Sequence, residues 1–184
     1  IGGVVGQIYN GVVEHSHNLG NITTTRPTNP AAQQGPVNMG GIVGDTTEMG
    51  TAKAYINDVY NKGQIGSENY YYNGRHVGGI VGRLSGNISN AYNVGDIFMG
   101  NNVVGGIVGY WYSGNIDNVF NTGDITVANS STDNSQVGGL VGAVDIGPGR
   151  HELSYAYNLG TIRSFRPSGK GNNTLGGIIG EVQQ

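Results

Sequence analysis

The chain has 184 residues, of which 36% are hydrophobic, 11% are charged, 35 are glycine and none is cysteine. That length suits one domain, but the modest apolar share argues against a thick central core, the lack of a three-residue glycine period excludes collagen, and the low charge excludes a disordered polyelectrolyte. The net charge of −3 comes from 9 basic and 12 acidic residues scattered singly, so no basic stripe serves a nucleic-acid backbone, and without cysteine there are no disulfides, thiolate metal sites or cysteine nucleophiles.

No run of 18 apolar residues and no export leader occurs, so direct membrane insertion is not expected. The chain opens inside a repeat copy and stops just after another, which leads to the expectation of a fragment of a longer chain, a single domain over 1–184 with repeats starting near 1, 39, 77, 104, 137 and 175.

Taken in chain order, the first unit opens on Gly2-Gly3 and continues through Val13, Ser16 and His17 to Asn18-Leu19-Gly20-Asn21-Ile22. The second runs from Gly40-Gly41 through Ile56, Val59 and Tyr60 to Asn61-Lys62-Gly63-Gln64-Ile65. The third runs from Gly78-Gly79 through Ile88, Ala91 and Tyr92 to Asn93-Val94-Gly95-Asp96-Ile97. The fourth follows from Gly105-Gly106 through Ile116, Val119 and Phe120 to Asn121-Thr122-Gly123-Asp124-Ile125. The fifth follows from Gly138-Gly139 through Leu153, Ala156 and Tyr157 to Asn158-Leu159-Gly160-Thr161-Ile162, before a last pair at Gly176-Gly177. The glycine pairs are 38, 38, 27, 33 and 38 residues apart, so the shortest step bounds the irreducible unit and the excess elsewhere is loop.

Each unit holds three short apolar segments separated by Gly, Asn and Asp, residues that tolerate turn and left-handed conformations. Helical periodicity is absent. The pattern predicts an all-β chain wound as a parallel β-solenoid (β-helix), with three short strands per coil and about five coils, one for each unit. Coils about 4.8 Å apart make a rod roughly 25 Å long. The usual hand of parallel crossovers predicts a right-handed sense.

Stacking turns repeat positions into ladders. Ile and Val fill the interior, and Asn18, Asn61, Asn93, Asn121 and Asn158 pass amide hydrogen bonds from coil to coil, each net bond contributing about 1 kcal/mol. The double glycine is expected at a tight corner or a close approach of neighbouring turns. For the aromatic position two readings stay open, an outward ladder or a second small cluster, because the small residue two before each Asn breaks strict alternation.

Between units lie segments of unequal size, from 98–104 to 23–39, which project from one edge of the rod and are where binding surfaces arise on a rigid scaffold. Two aromatic groups are candidate ligand contacts: Tyr70, Tyr71 and Tyr72 with Arg75 and His76, and Tyr110, Trp111 and Tyr112. They suit a sugar ring or a protein hot spot, against the plainer reading of half-buried strand aromatics.

Chemistry is harder to find. Asp96 and Asp124 share a repeat position, and stacking would bring their carboxylates to roughly 5 Å, as in a retaining glycosidase or a shared cation site. Asn21, Gln64 and Thr161 hold the same position elsewhere, which favours a solvated polar ladder, and Asp58 aligns likewise with Asn90 and Asn118. His15, His17, His76 and His151 include a His-x-His on one strand face, without an identifiable third metal ligand. No nucleophile, zinc or phosphate-cradling motif occurs, so no cofactor, metal or catalytic residue is expected of this chain.

Gly138-Gly139-Leu140-Val141-Gly142 and the stretch Ser89-Asn90-Ala91-Tyr92-Asn93-Val94-Gly95-Asp96-Ile97 resemble the GLUG-motif repeat. That resemblance implies a region of a bacterial surface or secreted protein, as in filamentous-haemagglutinin-like adhesins and the non-catalytic region of immunoglobulin A1 metallopeptidases. The expected role is a non-catalytic structural and adhesive segment, extracellular or on the cell surface, that displays loops to a host-surface protein or glycan. Its alternatives are an accessory solenoid of a secreted peptidase and a polysaccharide-active β-helix. Unpaired strand edges at the rod's ends would permit end-to-end self-association.

Overall fold

The computed structural model describes residues 1–23, 37–47, 53–67, 75–100, 103–128, 134–145, 147, 150–165 and 172–183. Among them are strands and no helix, and every strand pairing is parallel.

In chain order the strands are β1 (Val5–Ile8) and β2 (Gly11–Asn18), then β3 (Asn38–Gly40), β4 (Val43–Thr46), β5 (Ala54–Asn61) and β6 (Ile65–Gly66). Next come β7 (His76–Gly78), β8 (Val81–Asn93) and β9 (Ile97–Met99), and β10 (Val103–Gly105), β11 (Val108–Asn121) and β12 (Ile125–Ala128). The series ends with β13 (Ser135–Gly138), β14 (Val141–Asp145), β15 (His151–Asn158), β16 (Ile162–Phe165), β17 (Asn173–Gly176) and β18 (Ile179–Gln183). Three strands per coil hold where β8 and β11 run unbroken through a bend. Elsewhere the corresponding stretch is split in two, as β4 and β5 or β14 and β15.

Each repeat folds as an outgoing and a returning leg. The outgoing leg enters through the β17-β13-β10-β7-β3 sheet, turns at the glycine pair, and continues in the sheet of β1, β4, β14, β18 and the first halves of β8 and β11. The returning leg runs through β2, β5, β15 and the second halves of β8 and β11, and leaves through the β16-β12-β9-β6 sheet. Register follows the repeat throughout, with Asn93 opposite Asn61 and Asn121, and Val104 opposite Val77 and Val137.

The two legs enclose two separate thin cores. Ile42, Val43, Ile56, Val81, Ile88, Val108 and Ile116 belong to one, and Met39, Ile65, Val77, Ile97, Val104 and Ile125 to the other. A fully buried aliphatic side chain contributes about 1.5–3 kcal/mol, so a column repeated along the axis compensates for a core only two side chains deep. Between the cores the legs pinch together. A Cβ on Gly41 would lie 2.5 Å from the Asn61 side chain, and the same holds for Gly79 against Asn93 and Gly106 against Asn121. The glycine pair is therefore a corner and also one half of a waist, whose other half is the asparagine ladder.

The broken alternation has a backbone cause. His15, Asp58, Asn90, Asn118 and Tyr155, three residues before each ladder asparagine, all have φ between 47° and 52°. This left-handed residue lets Ile56 and Val59, or Ile116 and Val119, both turn inward. It throws the next side chain out, so the aromatic position is an outward ladder. His17, Tyr60, Tyr92, Phe120 and Tyr157 stack with centroids 4.9–5.1 Å apart and planes within 7° of parallel.

Candidate functional site

The asparagine ladder occupies the waist. Asn18 Nδ2 donates to Asn61 Oδ1, Asn61 to Asn93, Asn93 to Asn121 and Asn121 to Asn158, each at 2.8 Å. Every Nδ2 also donates to the carbonyl two residues on, at Gly20, Gly63, Gly95, Gly123 and Gly160. Asn61, Asn93 and Asn121 are fully buried, and their donors are all used. These residues build the scaffold and are closed to a ligand.

The stacked acidic pair is also built into the scaffold. The Asp124 backbone N–H donates to Asp96 Oδ1 at 2.9 Å, and the Thr161 N–H donates to Asp124 Oδ1 at 2.8 Å. The Gln64 N–H makes the same bond to Asn21, so this column latches one coil to the next. Asp124 Oδ2 pairs with Arg163 at 2.7 Å, and that hydrogen bond, then the one from Thr161, holds its carboxyl below the usual value. A glycosidase's general acid needs the opposite shift. Of the His-x-His pair, His15 lies 2.6 Å from Asp58 while His17 joins the ring ladder. Among the described residues no three His, Asp or Glu side chains converge on one point.

β11 departs from its neighbour β8 at one place. Val81 and Ile88 are seven residues apart, whereas Val108 and Ile116, opposite them, are eight apart. The extra residue is Tyr112: Trp111 pairs with Leu84 and Ser113 with Ser85, so β11 bulges between them. A bulge re-aims a side chain at the cost of local ladder bonds. Tyr112 stands out at 39% exposed, with the Arg83 guanidinium 5.2 Å from its ring centroid.

Trp111 corrects the expectation of an exposed aromatic trio. It is 2% exposed, because its register with Leu84 and Val144 turns it into the core, where its indole N–H donates to the Gly114 carbonyl at 3.1 Å. His76 is also a correction. At 8% exposed, it stacks on Tyr110 with centroids 4.6 Å apart and shares its Nδ1 proton with Asn38 Oδ1 at 2.9 Å. Burial, then the Arg75 and Arg83 charges, lowers its pKa to about 3, so it is neutral. It braces Tyr110 rather than facing solvent.

The half-buried Tyr110 donates its hydroxyl to Asp145 Oδ2 at 3.0 Å; burial, then that hydrogen bond, pushes the phenol's pKa up. Arg75 is exposed beside His76. Tyr70, Tyr71 and Tyr72 lie outside the described residues. The fold thus brings Arg75, His76, Arg83, Tyr110 and Tyr112 onto one surface from β7, β8, β11 and the residue before β7. Arg83 was not legible as a member. The one-residue excess of Val108–Ile116 over Val81–Ile88 was the signal that could have marked the bulge.

The family model of the GLUG motif matches residues 100–126. That span takes in the Gly105-Gly106 corner, the Tyr112 bulge and the Asn121–Ile125 end of the returning leg. Comparison with curated proteins and with solved structures returned no match. With the motif matched in one unit and its corner, asparagine and isoleucine recurring in register along the axis, this chain contains a GLUG-motif repeat region folded as a parallel β-solenoid.

Proposed function

We propose that this chain is a non-catalytic structural and adhesive domain of a bacterial surface or secreted protein, a stiff scaffold whose Tyr112 surface meets a glycan or a protein outside the cell. The observation that supports this most is the bulge. Between β8 and β11 the register is otherwise kept, while here one inserted residue leaves the inner columns intact and adds a projecting phenol beside a guanidinium. Sites that break a local rule without harming the core are where function is expected, and Tyr and Arg dominate contact hot spots.

Binding of the immobilised protein to a saccharide array and to intact host cells tests this reading. Tyr112→Ser should weaken binding about tenfold, as expected for a contact hot spot, with an unchanged melting temperature. Absence of any binding by the unmodified protein, or binding indifferent to Tyr112→Ser, would refute it.

A further inference from the structure

Four arginines fall within the described residues: Arg75, Arg83, Arg150 and Arg163. Arg150 pairs with Glu152 and Arg163 with Asp124. Arg75 and Arg83, both on the Tyr112 surface, have no carboxylate within ion-pair distance among the described residues. Carboxylates are nevertheless close. Asp45 is the register partner of Arg83, but its Oδ2 accepts from Asn38 Nδ2 at 2.8 Å and its Oδ1 is buried. Asp145 accepts the Tyr110 hydroxyl and the Gly147 N–H. Asp145 is therefore engaged through both oxygens and Asp45 through one, its other oxygen being buried without a hydrogen-bond partner, and neither acid forms an ion pair with Arg75 or Arg83 among the described residues. Arg75 adjoins His76, which stacks on Tyr110, the register partner of Arg83.

On the reading that this surface makes contacts, we infer that its ligand is a carboxylate-bearing saccharide, such as a uronic or sialic acid residue, whose anion is held by Arg83 and Arg75 and whose ring lies against Tyr112. Guanidinium and carboxylate pair through two parallel hydrogen bonds, a charge-assisted geometry that an ammonium does not reproduce. A carboxylated pyranose sets its anion rigidly beside a flat C–H face. This surface sets a guanidinium 5.2 Å from the centroid of a projecting phenol, and aromatic faces stack on such C–H surfaces. The half-buried Gln136, in the same register column as His76, supplies a neutral amide suited to sugar hydroxyls. An acidic peptide would meet the charge with a flexible stem and leave the phenol unused.

The test is titration calorimetry of the full chain with oligogalacturonate and with sialyllactose, set against carboxyl-reduced oligogalacturonate, lactose and hexaglutamate. At least one acidic saccharide should bind, its neutral counterpart should bind about tenfold more weakly or worse, and Arg83→Gln should cause a comparable loss, since each removes a charge-assisted pair. Affinity should fall with added salt. Arg163→Gln, whose guanidinium is already paired, should leave binding unchanged, and circular dichroism should show every variant folded.

Neutral counterparts binding equally well, hexaglutamate binding as tightly as the sugars, or an indifferent Arg83→Gln would each overturn the inference. If a neutral sugar binds and Tyr112→Ser abolishes it, the ligand class fails while the contact surface stands. If no saccharide and no cell surface binds at all, both readings fall together.

Discussion

At the scale of single residues, the left-handed position before the aromatic ladder governs which side chains reach the interior. Asn and Asp tolerate that backbone well, and they hold it at Asp58, Asn90 and Asn118. Tyr155 holds it at φ 47° with its side chain 82% exposed, so it bears the strain without compensating burial. Tyr155→Asn is expected to raise stability by about 1 kcal/mol, read as an upward shift in the urea midpoint. His76 gives a pH dependence whose sign is fixed by burial. Its folded pKa of about 3 lies below the ordinary 6.5, so below pH 6.5 the unfolded chain takes up a proton that the folded chain refuses. Stability should decline as pH falls from 6.5 towards 3, and His76→Gln should flatten that decline in pH-resolved denaturant melts. A decline identical in the variant would mean that other groups cause it.

At the scale of elements, the glycine corner and the asparagine turn make one joint. A Cβ on Gly106 would collide with the Gly139 carbonyl and lie 2.5 Å from Asn121 Cγ, and neither group has room to yield. At Gly177 a Cβ meets nothing within 4 Å. Gly106→Ala should therefore cost about 3 kcal/mol or prevent folding, while Gly177→Ala should be close to neutral. Equal effects in thermal melts would show that conformational freedom, rather than close approach, selects these glycines. Much of this was legible in the sequence, because Asn, Gly and Ile recur at fixed spacing and their side chains fill rungs of register-matched ladders. The waist was not. It joins Gly41 to Asn61 across 20 residues of chain, and a repeat spacing gives the position along the axis without saying which parts of one coil face each other. The aromatic ladder was undecided for a local reason, since the left-handed residue makes two inward side chains out of a pattern that alternation reads as one. Trp111 was not placed because the residue three after the inward valine also turns inward, at Leu84, Trp111 and Val144 alike, which strict alternation does not give.

At the scale of the molecule, two narrow cores are pinched by a polar ladder, and among the described residues their columns are filled by stacked side chains. Specificity is thereby confined to the surface, and there to the places where one repeat differs from its neighbours. The bulge in β11 is such a place, as its residue count differs while its inner columns keep register with β8 and β14. Deletion of Tyr112 restores the seven-residue spacing of β8 and so separates scaffold from contact more cleanly than any substitution. The most direct measurement is the binding of that deletion variant to the saccharides and cells that the unmodified protein recognises, with its melting temperature taken alongside. The predicted result is a fold at least as stable as the original, with binding lost. A variant that unfolds would contradict the regular scaffold, and one that binds undiminished would contradict the placement of the contact surface at the bulge.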